Sequence, residues 1–200
     1  MALRWIEGFE GLGTNGTTTS ALLAEFRRKY PHALLNASNS ASLQTGWGGI
    51  GLCAQCYQTD GDANDQFWLV LDDQDTWIIG FAFKMPTYIY QYSQAIIKLY
   101  DKAGSVQGSL KFNAANQLQY WVGDITTLVF TSSTIFMPDQ WYFIEMKVLI
   151  HASSGSFDLN VNGQSGGTSY SGDTQQTSYN TVNRFRFSLC FNGLAGQTGS

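Results

Sequence analysis

Cysteine is too scarce in this sequence to hold a fold together by disulfides. The chain has three, an odd number and fewer than a disulfide framework uses. Cys53 and Cys56 have the spacing C-x-x-C, but no second pair follows them, and Cys190 stands in an apolar stretch. A metal or redox role is therefore the weaker interpretation, and buried or incidental thiols are the stronger one.

Charge is also sparse. Only 13% of residues are charged, the net charge is −4, and the longest basic run is Arg27-Arg28-Lys29. A nucleic-acid-binding surface needs basic residues to neutralise phosphates, so we expect no nucleic-acid partner. The apolar runs are too short for a membrane helix, and the N-terminus MALRWIEGFEGL contains no continuous apolar core of a secretion signal. We therefore expect no membrane partner.

Glycine and aromatic residues are abundant. The 200 residues include 21 glycines and only three prolines, and 14% of them are aromatic. Aromatic residues favour strands, while Gly, Asn, Ser and Asp favour turns, which together is the composition of a sheet sandwich. Sandwiches of this length often form one domain, so the sequence predicts a single domain over residues 1–200.

Residues 141–163 predict a long β-hairpin. Two runs alternate apolar and polar side chains with a period of two, which indicates strands with one face on a core. The small-residue turn HASSGS separates the runs, and Asn162-Gly163 is a further turn signal. Together with a later strand, the hairpin supplies the predicted core: Tyr142, Ile144, Met146, Val148, Ile150, Phe157, Leu159, Val161, Phe185, Phe187 and Leu189.

The remaining chain predicts one helix and enough strands to bring the total to about ten or eleven. The helix, Ala21 to Tyr30, begins after Ser20 and is stopped by Pro31. Residues 77–85 are largely apolar on both faces, which favours a central strand covered on two sides. The fold class is therefore all-β, an antiparallel two-sheet sandwich with one short helix. The other predicted strands cover 5–11, 47–52, 67–71, 95–100, 108–113, 118–122, 125–131 and 184–191.

The hairpin also carries a resemblance to a known group. WYFIEMKV at 141–148, followed by GSFDLNVNG at 155–163, resembles the W-x-x-I-E-x-x-V…G-x-x-x-x-x-V-N/D-G signature of concanavalin A-like, laminin-G-like jelly rolls. IEGFEG at 6–11, IIGFAF at 78–83 and TSST at 131–134 are similar to segments of bacteriophage virion proteins of that superfamily. The resemblance implies a jelly-roll fold and a place on the virion.

The end of the chain departs from this pattern. The relatives implied by the resemblance often add a final strand rich in Asp and aromatic residues, whereas this chain ends in GLAGQTGS. The strand is then absent, the chain is truncated, or a neighbouring subunit supplies the pairing. An open sheet edge invites such pairing, so we expect a homo-oligomer or a larger assembly.

No catalytic residues are predicted. A retaining glycoside hydrolase needs two carboxylates about 5–5.5 Å apart, which a spacing such as E-x-D-x-x-E on one strand would present. Glu7 and Glu10 lack that spacing, and Glu145 alternates with Lys147, which predicts a surface pair. His32 and His151 lie in predicted loops without a nucleophile motif beside them. The sequence therefore predicts a protein that is not an enzyme.

Calcium is the one cofactor for which the sequence contains candidate ligands. Asp60, Asp62, Asn64 and Asp65 place oxygen ligands at nearly alternate positions, as calcium loops do. The Gly and Glu that complete an EF-hand are missing, and relatives implied by the resemblance often bind Ca²⁺. A solvated acidic turn is the favoured interpretation and a calcium site is the alternative.

Three tyrosines form a candidate contact surface. If residues 87–92 are extended, Tyr88, Tyr90 and Tyr92 point the same way at a spacing of about 6.6–6.8 Å. Such a row suits a protein interface or the core, and it also suits stacking against sugar rings. These three interpretations remain open.

The function predicted on these grounds is that of a non-enzymatic structural protein in the virion of a tailed phage, as a capsid decoration or tail-associated component. Its expected partners are other virion proteins, with host surface polysaccharide as a further contact. The alternative is a carbohydrate-binding module or lectin, and a glycoside hydrolase is less favoured.

Overall fold

The described chain is almost entirely β-strand. The computed structural model describes residues 24, 25, 28, 40–45, 52–57, 66–85 and 95–188. Ala24, Glu25 and Arg28 are helical, within the predicted helix. No helix among the described residues is long and apolar enough to cross a membrane. The strands are β1 (Ser40–Thr45), β2 (Leu52–Tyr57), β3 (Gln66–Gln74), β4 (Thr76–Lys84), β5 (Ala95–Tyr100), β6 (Val106–Phe112), β7 (Leu118–Val122), β8 (Thr127–Thr131), β9 (Trp141–Leu149), β10 (Gly155–Val161), β11 (Gln164–Ser165), β12 (Tyr170–Gly172) and β13 (Val182–Ser188).

These strands form three sheets in two compact units. One unit contains the antiparallel pair β1–β2. The other contains β4 to β12 with most of β3 and β13. In this second unit, one sheet has the order β11-β10-β9-β4, with β12 also pairing β10, and the other has the order β3-β13-β5-β6-β7-β8. The predicted all-β, antiparallel two-sheet sandwich is thereby confirmed, and the single domain stays a prediction.

The predicted hairpin is β9–β10. Val148 pairs with Phe157 and Met146 pairs with Leu159, and all four side chains are at most 3% exposed. Alternation with a period of two explains why one face of each strand is buried. The Asn162-Gly163 pair forms the following turn, between β10 and β11, with positive φ at both residues.

Most predicted core positions are confirmed, with two partial exceptions and one outside the described residues. Tyr142 and Phe187 are half-buried, and Leu189 is not among the described residues. The two-sided burial predicted for β4 is wrong, because its outward positions are exposed and Ile78 is 47% accessible. Positions 78, 80, 82 and 84 are exposed while those between them are buried or half-buried, so only one face of β4 lies on the core.

Aromatic rings join the two sheets of this unit. The ring of Tyr120 on β7 stacks on Phe157 of β10, with the centroids 4.2 Å apart and the planes inclined by 6°. Trp77 of β4 meets Phe185 of β13 edge to face at 4.8 Å. Its indole Nε1 also donates a hydrogen bond to the carbonyl of Val182 at 2.9 Å. Such ring pairs contribute about 0.5–1.5 kcal/mol each beyond the area that they bury.

A buried polar network fixes the segment that leads into β13. Asp101 and Gln107 are 0% exposed. The Thr177 hydroxyl donates to Asp101 Oδ2 at 2.7 Å and accepts from Gln107 Nε2 at 2.8 Å. Gln107 Oε1 accepts the N–H of Gln176 at 2.8 Å, and Asp101 Oδ1 accepts that of Ser105 at 2.9 Å. Because each buried group depends on the others for a partner, the network holds the chain in one path toward β13.

Tyr120 and Tyr142 offer a matched test of this core. The Tyr120 hydroxyl is buried and has no hydrogen-bond partner among the described residues, whereas the Tyr142 hydroxyl accepts the N–H of Met137 at 2.7 Å. We expect Tyr120→Phe to raise the free energy of unfolding by about 1 kcal/mol, because it removes an unsatisfied polar group and keeps the stacked ring. Tyr142→Phe should lower it by about 1 kcal/mol. Chemical denaturation monitored by circular dichroism measures both, and equal effects of the same sign would contradict this account.

Candidate functional site

The face of the six-stranded sheet that points away from the core gathers basic side chains. On β5, Leu99 points into the core, so its neighbours Lys98 and Tyr100 lie on the other face. β13 pairs with β5 in the register Arg184 to Tyr100 and Arg186 to Lys98, which puts both arginines on that face as well. We call this surface the basic face and define it by Lys98, Tyr100, Lys111, Trp121, Arg184 and Arg186.

The concentration of charge on this face is local. Four of the chain's eleven lysines and arginines lie there, although the net charge of the protein is −4. The strand register pairs Arg186 with Lys98, Lys98 with Ser109, and Ser109 with Trp121, so these residues lie side by side across four strands. With strands about 4.8 Å apart, side chains on adjacent strands are close enough to share one ligand. The face can therefore bind an anionic group that contacts several strands.

Tyr100 is the titratable centre of this face. Its side chain is buried, and burial raises the pKa of its hydroxyl above the ordinary value, an effect that the Asp124 carboxylate reinforces. The guanidinium groups of Arg186 and Arg184 act in the opposite direction and lower that pKa, but burial dominates. Tyr100 is therefore protonated at neutral pH and is able to donate a proton.

A tight turn brings Asp124 to this face. Gly123 and Ile125 both have positive φ, at 72° and 60°. A β-branched residue in this region is strained, so contacts around it must hold the turn. The Ser109 hydroxyl donates to the carbonyl of Gly123 at 2.5 Å and accepts the N–H of Ile125 at 3.3 Å. Held in this way, Asp124 forms an ion pair with Lys98, whose side chain is only 13% exposed.

Lys111 and Trp121 lie toward the β7 side of the basic face. The Lys111 ammonium stands 4.7 Å from the centre of the Trp121 ring, a cation–π contact. Burial lowers the pKa of Lys111. The indole Nε1 of Trp121 is buried without a hydrogen-bond partner among the described residues.

The predicted site residues lie outside the described residues. This holds for Tyr88, Tyr90 and Tyr92, and for the possible calcium ligands Asp60, Asp62, Asn64 and Asp65. Where the chain is described, no three His, Cys, Asp or Glu side chains come together in a way that could hold a metal ion. The tyrosine surface and the calcium loop both stay predictions.

His151 has a structural task. Its Nδ1 accepts the backbone N–H groups of Ser153 and Ser154, each at 3.1 Å, which closes the turn between β9 and β10. The same nitrogen lies 3.0 Å from the Ser154 hydroxyl. The ring thus serves the hairpin, and it is on the other sheet from the basic face.

Sequence reasoning missed the basic face because its members are far apart in the chain. Acids at local spacings are the sequence pattern of a glycoside hydrolase, whereas this site is built from basic residues and a tyrosine on separate strands. A signal was present: Lys98, Lys111 and the arginines of β13 each occupy the outward parity of a strand whose inward parity is apolar. Pairing of those strands, which the sequence pattern leaves open, is needed to see that they meet.

Comparison with known proteins gives structural matches only. No protein-family model matches the sequence, and no curated protein matches it either. The structure is similar to an endo-β-1,4-glucuronan lyase from the fungus Trichoderma reesei, with a TM-score of 0.60 and 13% identity, over 82% of this chain and 80% of that one. It is also similar to the alginate lyase Aly36B, with a TM-score of 0.53 and 10% identity, over 94% of this chain and 86% of that one. At these identities the likeness shows a shared β-sandwich fold.

This finding corrects the predicted function. The predictions of a non-enzymatic virion structural protein and of a chain that is not an enzyme are contradicted, because the two solved structures reported above are polysaccharide lyases. The jelly-roll-like sandwich implied by the resemblance is supported, whereas nothing supports a phage virion origin. The physical reason is that a short strand signature reports how a sandwich packs, whereas the function of a sandwich depends on the side chains of its site.

The electrostatics of Tyr100 can be tested with two opposing substitutions. Asp124→Asn should lower the pKa of Tyr100, since it removes a nearby negative charge and releases the Lys98 ammonium. Arg186→Met should raise it, since it removes a positive charge. Ultraviolet titration of tyrosinate measures both shifts, and the same variants carrying Tyr100→Phe allow the signal of the other tyrosines to be subtracted. Shifts in the same direction would contradict the assigned geometry.

Proposed function

We propose that this protein is a polysaccharide lyase that cleaves an acidic, uronate-containing polysaccharide at the basic face. The observation that carries the proposal is the pairing of β13 with β5, which sets Arg184 and Arg186 beside Tyr100 on one face of the large sheet. The fold shared with a glucuronan lyase and an alginate lyase supports the same reaction class.

The chemistry of such a cleavage matches these residue types. In β-elimination, a base removes the proton next to the sugar carboxylate, negative charge spreads onto that carboxylate, and the bond to the leaving glycosidic oxygen breaks. A double bond forms between the two carbons, and the leaving oxygen takes up a proton. Cations that contact the carboxylate stabilise the charge as it develops, and a proton donor assists the leaving group.

Arg184 and Arg186 are the groups proposed to bind the carboxylate. A guanidinium presents a planar fork of donors that matches a carboxylate, and two such groups on one strand can hold it from one side. Tyr100 is proposed to donate the proton to the leaving oxygen, because its hydroxyl is protonated at neutral pH and the strand register sets it beside Arg184. The Lys98 ammonium, neutralised by Asp124, adds less to the positive potential than its position suggests.

Hydrolysis of a glycosidic bond fits this face less well. A glycoside hydrolase uses two carboxyl groups on either side of the bond. The carboxylate found on the basic face among the described residues is Asp124, and its ion pair with Lys98 engages it. Elimination needs a base, cations that stabilise the developing charge and a proton donor, and the described part of the face contains the cations and the donor.

Product chemistry tests the proposal directly. The purified protein should convert β-1,4-glucuronan or alginate to fragments with a double bond conjugated to the carboxylate, which absorb ultraviolet light, and it should leave a neutral β-1,4-glucan intact. Arg186→Met should lower kcat/KM by about 100-fold, the order seen when one group that stabilises developing negative charge is removed. Arg186→Lys should recover part of the loss, because it restores the charge without the planar fork.

The control variant is Lys147→Met, which removes an exposed lysine from β9 of the other sheet. It should retain wild-type turnover, so that a general effect of net charge is separated from an effect at the basic face. Reducing ends released without the conjugated double bond would indicate hydrolysis and contradict the proposal. Binding of acidic polysaccharide without any product would contradict it as well.

A further inference from the structure

Lys111 is a half-buried cation that no carboxylate neutralises among the described residues. The exposed Lys84 lies 3.5 Å from Asp139, and Lys98 pairs with Asp124. Lys111 has only the Trp121 ring beneath its ammonium, at 4.7 Å. Removing a cation from water without a counter-charge is unfavourable, and a cation–π contact offsets only part of that cost. An arriving anion would supply the missing charge.

Trp121 adds an apolar wall and an unsatisfied donor at the same place. Its ring is half-buried, and its indole N–H has no acceptor among the described residues. An apolar wall lowers the local dielectric constant, which strengthens an ion pair formed beside it. A ligand oxygen that reached the indole N–H would also remove the cost of leaving it unpaired.

The strand register shows how far the Lys111–Trp121 pair lies from the arginines. Trp121 pairs with Ser109, which pairs with Lys98, so Trp121 lies two strands from Lys98, a distance of about 9.6 Å. Arg186 pairs with Lys98 from the opposite side. A polysaccharide lying across the strands would therefore contact the arginines with one sugar and the Lys111–Trp121 pair with another.

Resting on the proposed function, we infer that Lys111 and Trp121 form a second sugar subsite, which binds the carboxylate of a further uronate unit in the same chain. The Lys111 ammonium pairs with that carboxylate, and the Trp121 ring borders the sugar. The subsite makes the protein selective for polymers in which the reacting uronate has a charged neighbour along the chain. It takes no part in breaking the bond.

The test compares a short and a long ligand. Binding of a tetramer of β-1,4-linked glucuronate is measured by calorimetry in the Tyr100→Phe background, which keeps the ligand intact. Lys111→Met should weaken tetramer binding about tenfold, since a charge-assisted contact of this kind is typically equivalent to about a factor of ten or more. The affinity for methyl glucuronide, a single uronate, should not change, because that sugar is held by the arginines. Lys147→Met should leave both affinities unchanged.

The outcomes separate the subsite from the proposed function. If the parent protein binds the tetramer and Lys111→Met binds it equally well, the subsite is wrong and the proposed function stands. Equal weakening for the monosaccharide and the tetramer would show a general charge effect and would also overturn the subsite. If the parent protein binds neither ligand, both inferences fail. Circular dichroism of Lys111→Met confirms that the loss of binding is not a loss of folding.

Discussion

The antiparallel pairing of β13 with β5 is the constraint on which the arrangement of this protein depends. These strands are more than eighty residues apart in the chain, yet their register sets Phe185 opposite Leu99 on the core face and Arg184 opposite Tyr100 on the other. A slip of one residue would turn the arginines toward the core and the phenylalanines outward. The apolar face thus fixes the register, and the register places the charged face.

Buried polar groups hold two connecting segments in one conformation where few apolar side chains are available to do so. The segment before β13 has few large apolar side chains, so its path is fixed by the buried network of Asp101, Gln107 and Thr177. The Ser109 hydroxyl likewise fixes the turn that contains Asp124, because it hydrogen-bonds the carbonyl of Gly123 and the N–H of Ile125, which has a positive φ. In both places, buried hydrogen bonds convert a flexible connection into one conformation.

The basic face combines opposing electrostatic effects. Burial and Asp124 favour the neutral form of Tyr100, while the two arginines favour its ionised form. An anionic ligand that contacted the arginines would screen their effect and shift the balance further toward the protonated hydroxyl. The neutral form of Tyr100 is thus favoured on this face, and an anion bound at the arginines would favour it further.

The sequence by itself determined the fold class, because apolar and polar residues alternating with a period of two specify which face of a strand is buried. The hairpin core of Ile144, Met146 and Val148 was predictable for that reason. The exposure of the outer face of β4 was not predictable, since apolar residues on both faces of a strand do not reveal whether a second layer covers it. The Tyr88–Tyr92 surface and the Asp60–Asp65 loop lie outside the described residues and stay predictions. Only the tertiary structure decided the candidate site. Lys98, Lys111 and Arg186 come onto one face through backbone hydrogen bonds between strands. Such bonds form between any residue types, so the sequence pattern does not show which strands pair.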